Sequence, residues 1–191
     1  MRLRRPRTMF WRRTRSTKTR PSGGLSCSRR SPERRGYAES VPELPEVETV
    51  RARLEPVLTG RRFVRVEIAD PRVTRPFDPA VVAVELEGET VAAVERRGKY
   101  LIVRFESGRS LLIHLRMTGS LRHATAGTLA DDPYRRVVVR LDDGSDVAYR
   151  DVRRFGTWLL VEPGELEPYL SARLGGEPLD RTFTSRRLAE R

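Results

Sequence analysis

The chain has 191 residues, room for one domain of ordinary size and part of a second, and a formal net charge of +12. Residues 1–41 hold twelve Arg and one Lys against Glu33 and Glu39, which leaves the other 150 residues nearly neutral at 25 basic and 24 acidic groups, so any nucleic-acid reading must rest on particular residues. The one cysteine, Cys27, excludes an intrachain disulfide and a cysteine-built metal site, and no apolar run approaches the ~18 residues of a membrane-spanning helix.

The first 41 residues are rich in Arg, Ser, Pro and Gly without an apolar period, a composition expected to be disordered. They lack the apolar segment of a secretory signal. An organellar transit peptide and a basic nucleic-acid-binding tail both fit such a leader. The reading preferred here is translation assigned upstream of a native start at Val41, since the bias for Arg over Lys suits a GC-rich bacterial genome. From Pro45 to Leu58, Val47, Val50, Leu54, Val57 and Leu58 recur at three- and four-residue steps and predict an amphipathic helix that Thr59-Gly60 stops.

The period then changes to two. Candidate strands are Phe63–Ile68, Val81–Leu86, Val91–Glu95, Tyr100–Phe105, Ser110–Met117, Arg136–Leu141, Asp146–Arg150 and Gly156–Val161, most of them separated by turn signals such as Arg97-Gly98 and Asp142-Asp143-Gly144. About eight short strands at this spacing predict a sandwich or a flattened barrel. A helix follows from about Gly164 to Ala172. At the end, Thr184 or Ser185 reads as the N-cap of a helix beginning at Arg186, so 42–180 is expected to be one domain and 181–191 the opening of a helical second one.

Some residues stand out for chemistry. If the chain starts at Pro42, that residue carries a free secondary amine, nucleophilic near neutral pH, with the carboxyl of Glu43 beside it to protonate a sugar oxygen. In a longer chain the same nitrogen is a tertiary amide. PELPE on its own is more simply a proline-bounded helix start. Lys99 is one of only two lysines, the other being Lys18, in a chain that otherwise uses Arg, and Lys alone of the two can exchange its proton. It can also be an ordinary turn lysine. Met117, Arg153 and Phe155 fall near strand ends in HLRMTGS and RDVRRFG, residue types that fill a base stack when a nucleotide is extruded. Singly, Met117 and Phe155 read as core. His114 reads as core and Asp151 as a local cap for its turn.

Together PELPEVETV (42–50), RRGKYL (96–101), HLRMTGSL (114–121), RDVRRFG (150–156) and LGGEPL (174–179) resemble the formamidopyrimidine-DNA glycosylase and endonuclease VIII family of base-excision repair enzymes, in family order across the residues after Val41. The leucine of PELPE is similar to the formamidopyrimidine branch. The resemblance implies an α+β, mostly β fold: a two-layered antiparallel β-sandwich with flanking N- and C-terminal helices. It implies Pro42 as Schiff-base nucleophile, Glu43 as proton donor, and Lys99 in elimination and at the flanking phosphate. Met117, Arg153 and Phe155 would fill the gap left by the everted nucleotide, with Arg153 facing the orphaned cytosine. Tyr134 stands where the family has a phosphate-contacting His, and a Tyr hydroxyl can still donate.

The implied partner is damaged double-stranded DNA, met as a monomer in the bacterial cytoplasm and without a membrane. The implied activity is excision of oxidised purines followed by strand nicking. The family's structural zinc sits in a four-cysteine C-terminal finger that would follow Arg191, together with its helical DNA-binding module, so no cofactor is expected in this chain. The alternative is a catalytically silent fragment that retains DNA binding, and a third possibility is an unrelated sandwich adaptor.

Overall fold

Eight strands and three helices follow one another as α1 (Leu44–Leu58), β1 (Phe63–Ile68), α2 (Pro79–Leu86), β2 (Val91–Arg97), β3 (Tyr100–Phe105), β4 (Ser110–His114), β5 (Ser120–Thr125), β6 (Arg135–Leu141), β7 (Ser145–Arg150), β8 (Thr157–Val161) and α3 (Leu166–Ser171). The computed structural model describes residues 42–128, 130–175, 184 and 186. The leader, Val41 and nearly all of the segment expected to open a second domain lie outside these described residues.

The strands form two antiparallel four-stranded sheets, ordered β1-β6-β7-β5 and β2-β3-β4-β8. Their facing sides make the core. Val66, Val137, Val139, Leu141, Val147 and Tyr149 come from one sheet, and Val94, Leu101, Val103, Leu111, Ile113 and Trp158 from the other. Burial of side chains of this size contributes about 1.5–3 kcal/mol each. α1 adds Val47, Leu54 and Leu58 to the same cluster. On its other face the second sheet is covered by α3, where Leu166 and Leu170 meet Ile102, Leu112 and Val161. β3 and β4 are therefore buried on both faces, which is why YLIVRF and SLLIH read as nearly continuous apolar runs.

The expected two-layered sandwich with flanking helices is the observed fold, with corrections to its parts. Val81–Leu86 is not a strand but most of helix α2. Asp78 caps it, its carboxylate accepting the Ala80 N–H at 2.7 Å, and Pro79 occupies the first turn. Val82 and Leu86, four residues apart, are its buried positions, a helical spacing hidden among valines. The eighth strand is instead β5, SLRHAT, a polar edge strand paired only with β7. β4 ends at His114, and Leu115–Gly119 turns away from the sheet. Because Asp78 supplies the only side-chain cap of α2, Asp78→Ala should cost about 1 kcal/mol, read as a lowered urea midpoint with unchanged slope. A strand in this position would lose nothing.

Candidate active site

Two clusters of the residues singled out in the sequence lie at one end of the sandwich. The first joins the start of α1 to the β2–β3 hairpin. Glu43 is the N-cap of α1, and its N–H donates to the Glu46 carboxylate at 3.1 Å, one arm of a capping box. Pro42, half-buried, precedes it. Across from the helix start, Gly98 and Lys99 form a two-residue hairpin loop between the paired Arg97 and Tyr100. Gly98 has φ +59 and Lys99 is not left-handed, the pattern of a type II′ turn that favours glycine first. Lys99 Nζ then lies 2.5 Å from Glu43 Oε2, with side chains 44% and 56% exposed.

The second cluster joins the turn after β4 to the loop after β7. Its centre is Asp151, which has no exposed surface. Asp151 Oδ1 accepts the Thr118 hydroxyl at 2.5 Å and the Arg153 N–H at 3.1 Å. Oδ2 accepts the Gly156 N–H at 2.8 Å and the Tyr149 hydroxyl at 3.3 Å. The backbone is engaged as well. The Asp151 N–H donates to the Tyr134 carbonyl at 3.0 Å, and its own carbonyl accepts Arg136 Nε at 2.9 Å. Burial first, and the neighbouring Asp151 second, push the Tyr149 hydroxyl well above the usual phenol range, so it serves as a fixed donor. Gly156 could carry no side chain, since a Cβ there would sit 1.6 Å from the Tyr149 hydroxyl oxygen.

On this frame Arg153 and Met117 meet, Arg153 Nη1 lying 3.3 Å from the Met117 Sδ. Phe155 is 57% exposed and Met117 half-buried, so neither is a core residue. Each loop contains one left-handed non-glycine residue, Arg116 at φ 55 and Arg154 at φ 60. Such conformations cost about 1–3 kcal/mol each and persist only where surroundings impose them. Arg154 is held by the buried Asp70, Nε to Oδ2 at 3.3 Å. Tyr134 is exposed, with the Arg150 guanidinium 4.8 Å from its ring centroid.

The two clusters share a sheet edge. Tyr100, His114 and Thr157 stand side by side on β3, β4 and β8, so Lys99, the Met117 turn and the Phe155 loop all emerge from that edge. His114 is thus not core but half-buried, its ring edge-on to Tyr100 with centroids 4.8 Å apart. Burial, then the charges of Arg116 and Lys99, lower its pKa from 6.5 to about 4. Its Nδ1 accepts the Arg116 N–H at 3.0 Å, so the neutral ring keeps its proton on Nε2 as a donor. A lone His in an apolar run gave no signal of this; its place as the last residue of its strand was the missing clue. Among the described residues, Arg116 and Arg153 in these two loops make no ion pair, as is also true of Arg53, Arg62, Arg72, Arg75, Arg122 and Arg173. Nor do three His, Cys, Asp or Glu side chains come together among them to hold a metal, and one cysteine cannot supply a four-cysteine zinc site.

A family model for the formamidopyrimidine-DNA glycosylase N-terminal domain matches residues 41–158. The formamidopyrimidine-DNA glycosylase of Symbiobacterium thermophilum is 49% identical over 153 residues, covering 79% of this chain and 49% of that protein. That of Geobacillus kaustophilus is 45% identical over 156 residues, covering 79% and 55%. The crystal structure of the Lactococcus lactis enzyme bound non-covalently to DNA containing an abasic site superposes with a TM-score of 0.72 at 35% identity, covering 78% of this chain and 56% of that one. The chain therefore belongs to the formamidopyrimidine-DNA glycosylase family, through its N-terminal domain, and spans about half the length of the relatives it matches.

Two outcomes test this geometry. Asp151→Ala removes the acceptor of the Thr118 and Tyr149 hydroxyls and the Gly156 N–H, while the Arg153 N–H keeps its 3.0 Å bond to Thr118 Oγ1, and should cost about 3 kcal/mol in urea unfolding. His114 is harder to protonate folded than unfolded, so its contribution is complete above pH 6.5 and is lost as pH falls toward about 4. Stability should drop as pH falls from about 6.5 toward 4, and His114→Gln should flatten the upper part of that slope, where carboxylates do not yet titrate.

Proposed function

We propose that this chain is the catalytic half of a bifunctional DNA glycosylase and abasic-site lyase that removes oxidised purines from double-stranded DNA. The observation that carries the proposal is the meeting of Glu43 and Lys99 at 2.5 Å beside Pro42, three chemically complementary groups brought together from the start of a helix and a hairpin 56 residues further on. The free amine of Pro42 attacks C1′ of the damaged nucleoside, and the bond to the base breaks with its electron pair leaving on the base. Glu43 delivers a proton to the ring oxygen, the ring opens, and an iminium ion remains. Loss of a C2′ proton, assisted by Lys99, then expels the 3′ phosphate and nicks the strand. Met117, Arg153 and Phe155 occupy the space of the everted nucleotide, with Tyr134 toward the backbone. Arg116, exposed on the turn beside Met117 and without an ion pair, supplies a phosphate contact. The protein acts as a monomer on DNA in the bacterial cytoplasm. The relatives' names and the abasic-site complex support this reading.

The second reading, DNA binding without chemistry, is favoured by one specific fact: in the sequence as it stands Pro42 follows Val41, and its nitrogen is an amide. Both are tested by borohydride trapping on a duplex containing an abasic site. Protein beginning at Pro42 should form a covalent adduct, and the chain beginning at Met1 should form none. Glu43→Gln should lower the trapping rate by about 100-fold while duplex binding persists. Trapping by neither form, with salt-dependent binding by both, would establish the second reading.

A further inference from the structure

An ion pair with side chains 44% and 56% exposed, such as Lys99 with Glu43, is worth about 0–1 kcal/mol and cannot by itself hold a hairpin against a helix. A stronger connection lies one layer beneath. Arg96 ends in a guanidinium whose side chain is 7% exposed. Its Nε donates to Glu48 Oε2 at 2.8 Å, and its Nη1 donates to the Gly98 carbonyl at 3.0 Å. Glu48 lies on α1 five residues after Glu43, while Gly98 immediately precedes Lys99. Glu48 is anchored from its other oxygen by Arg51 Nε at 2.7 Å, and Arg51 Nη1 reaches Glu55 at 2.8 Å. A continuous bridge therefore runs from the helix through Glu48 and Arg96 to the turn that carries Lys99. The planar guanidinium suits it, because two bonds in a fixed fork define an orientation as well as a distance.

We propose that Arg96 is a positioning residue: its two-point bridge between Glu48 and the Gly98 carbonyl sets Lys99 at contact distance from Glu43. The proposal rests on the reading of Pro42, Glu43 and Lys99 as the catalytic groups, but its structural half can be tested without that reading. Arg96→Lys keeps the buried charge opposite Glu48 and removes the fork. Glu48→Ala removes the other anchor.

The chain's only lysines are Lys18 and Lys99, so reductive methylation with a carbon-13 label gives two lysine resonances, which Lys99→Arg assigns. In the otherwise unaltered full chain, Glu43→Gln should shift the Lys99 resonance. Arg96→Lys adds a third lysine resonance, which Lys99→Arg in the same background separates from that of Lys99; in the Arg96→Lys and Glu48→Ala backgrounds Glu43→Gln should leave the Lys99 resonance in place. A Lys99 resonance that still responds fully to Glu43→Gln in both backgrounds overturns the proposal. In whichever form of the protein traps abasic DNA, Arg96→Lys should slow trapping at saturating duplex by about 10- to 100-fold with duplex affinity unchanged. Parallel loss of affinity and trapping overturns it, since Arg96 would then act on DNA contact or on the fold. If no form traps, the catalytic reading fails, and the resonance experiment still decides on Arg96.

Discussion

The carboxylate of Asp151 constrains more of this molecule than any other group. It has no exposed surface, and burying a charge of this kind costs several kcal/mol unless donors surround it. The donors come from three places: Thr118 in the turn after β4, Tyr149 on β7, and the Arg153 and Gly156 amides in the loop that Asp151 itself opens. None of the three can move away without leaving the others around an uncompensated charge. Met117, Arg153 and Phe155 are therefore carried on loops whose backbone is set by folding, and the strain at Arg116 and Arg154 is tolerable for the same reason.

The cluster at the start of α1 is built on a different principle. Its visible contact is a solvent-facing ion pair of little intrinsic strength, and what holds the partners close lies underneath, in backbone and in buried guanidinium bonds. Burial opposes it, yet the hydrogen bonds from Arg96 and Arg51 keep the Glu48 carboxyl below its usual range, so the anchor stays charged. One end of the sandwich thus carries one cluster organised around a buried anion and another supported by a buried cation.

Much of this was legible in the sequence, and the failures have physical causes. Alternation of apolar residues marks strands wherever one face is buried, and it placed most of them. It failed at Val81–Leu86, where β-branched residues imitate a strand; the Asp78-Pro79 pair ahead of them was the helix signal that outweighed them. It failed at β5, because an edge strand with few inward side chains has no apolar period to show. Glycine turns were readable because only certain residues adopt positive φ. Asp151 was readable as a cap for its own loop, since the bond to Arg153 is local, but its bonds to Thr118 and Tyr149 are set by tertiary structure. The meeting of Glu43 with Lys99 was legible only through the family resemblance, for no local pattern joins residues so far apart.

The close approach of Gly156 to Tyr149 sets a rule for how sequences with this fold can diverge. The hydroxyl of Tyr149 fills the volume that a side chain at 156 would need, whereas a Cβ at 119 would meet the Leu115 carbonyl oxygen first, at 2.4 Å, and that hydroxyl at 2.6 Å. Gly156 cannot change while the tyrosine stays, loss of the tyrosine hydroxyl would take a donor from Asp151, and Gly119 is barred by the Leu115 backbone in either case. Viable change at 149 and 156 must be simultaneous, a step that single-residue drift rarely takes. Variation is thereby channelled to the outward-facing neighbours, Arg116, Arg153 and Phe155. The exposed part of the loops can be retuned one residue at a time, and the part that holds them in shape cannot.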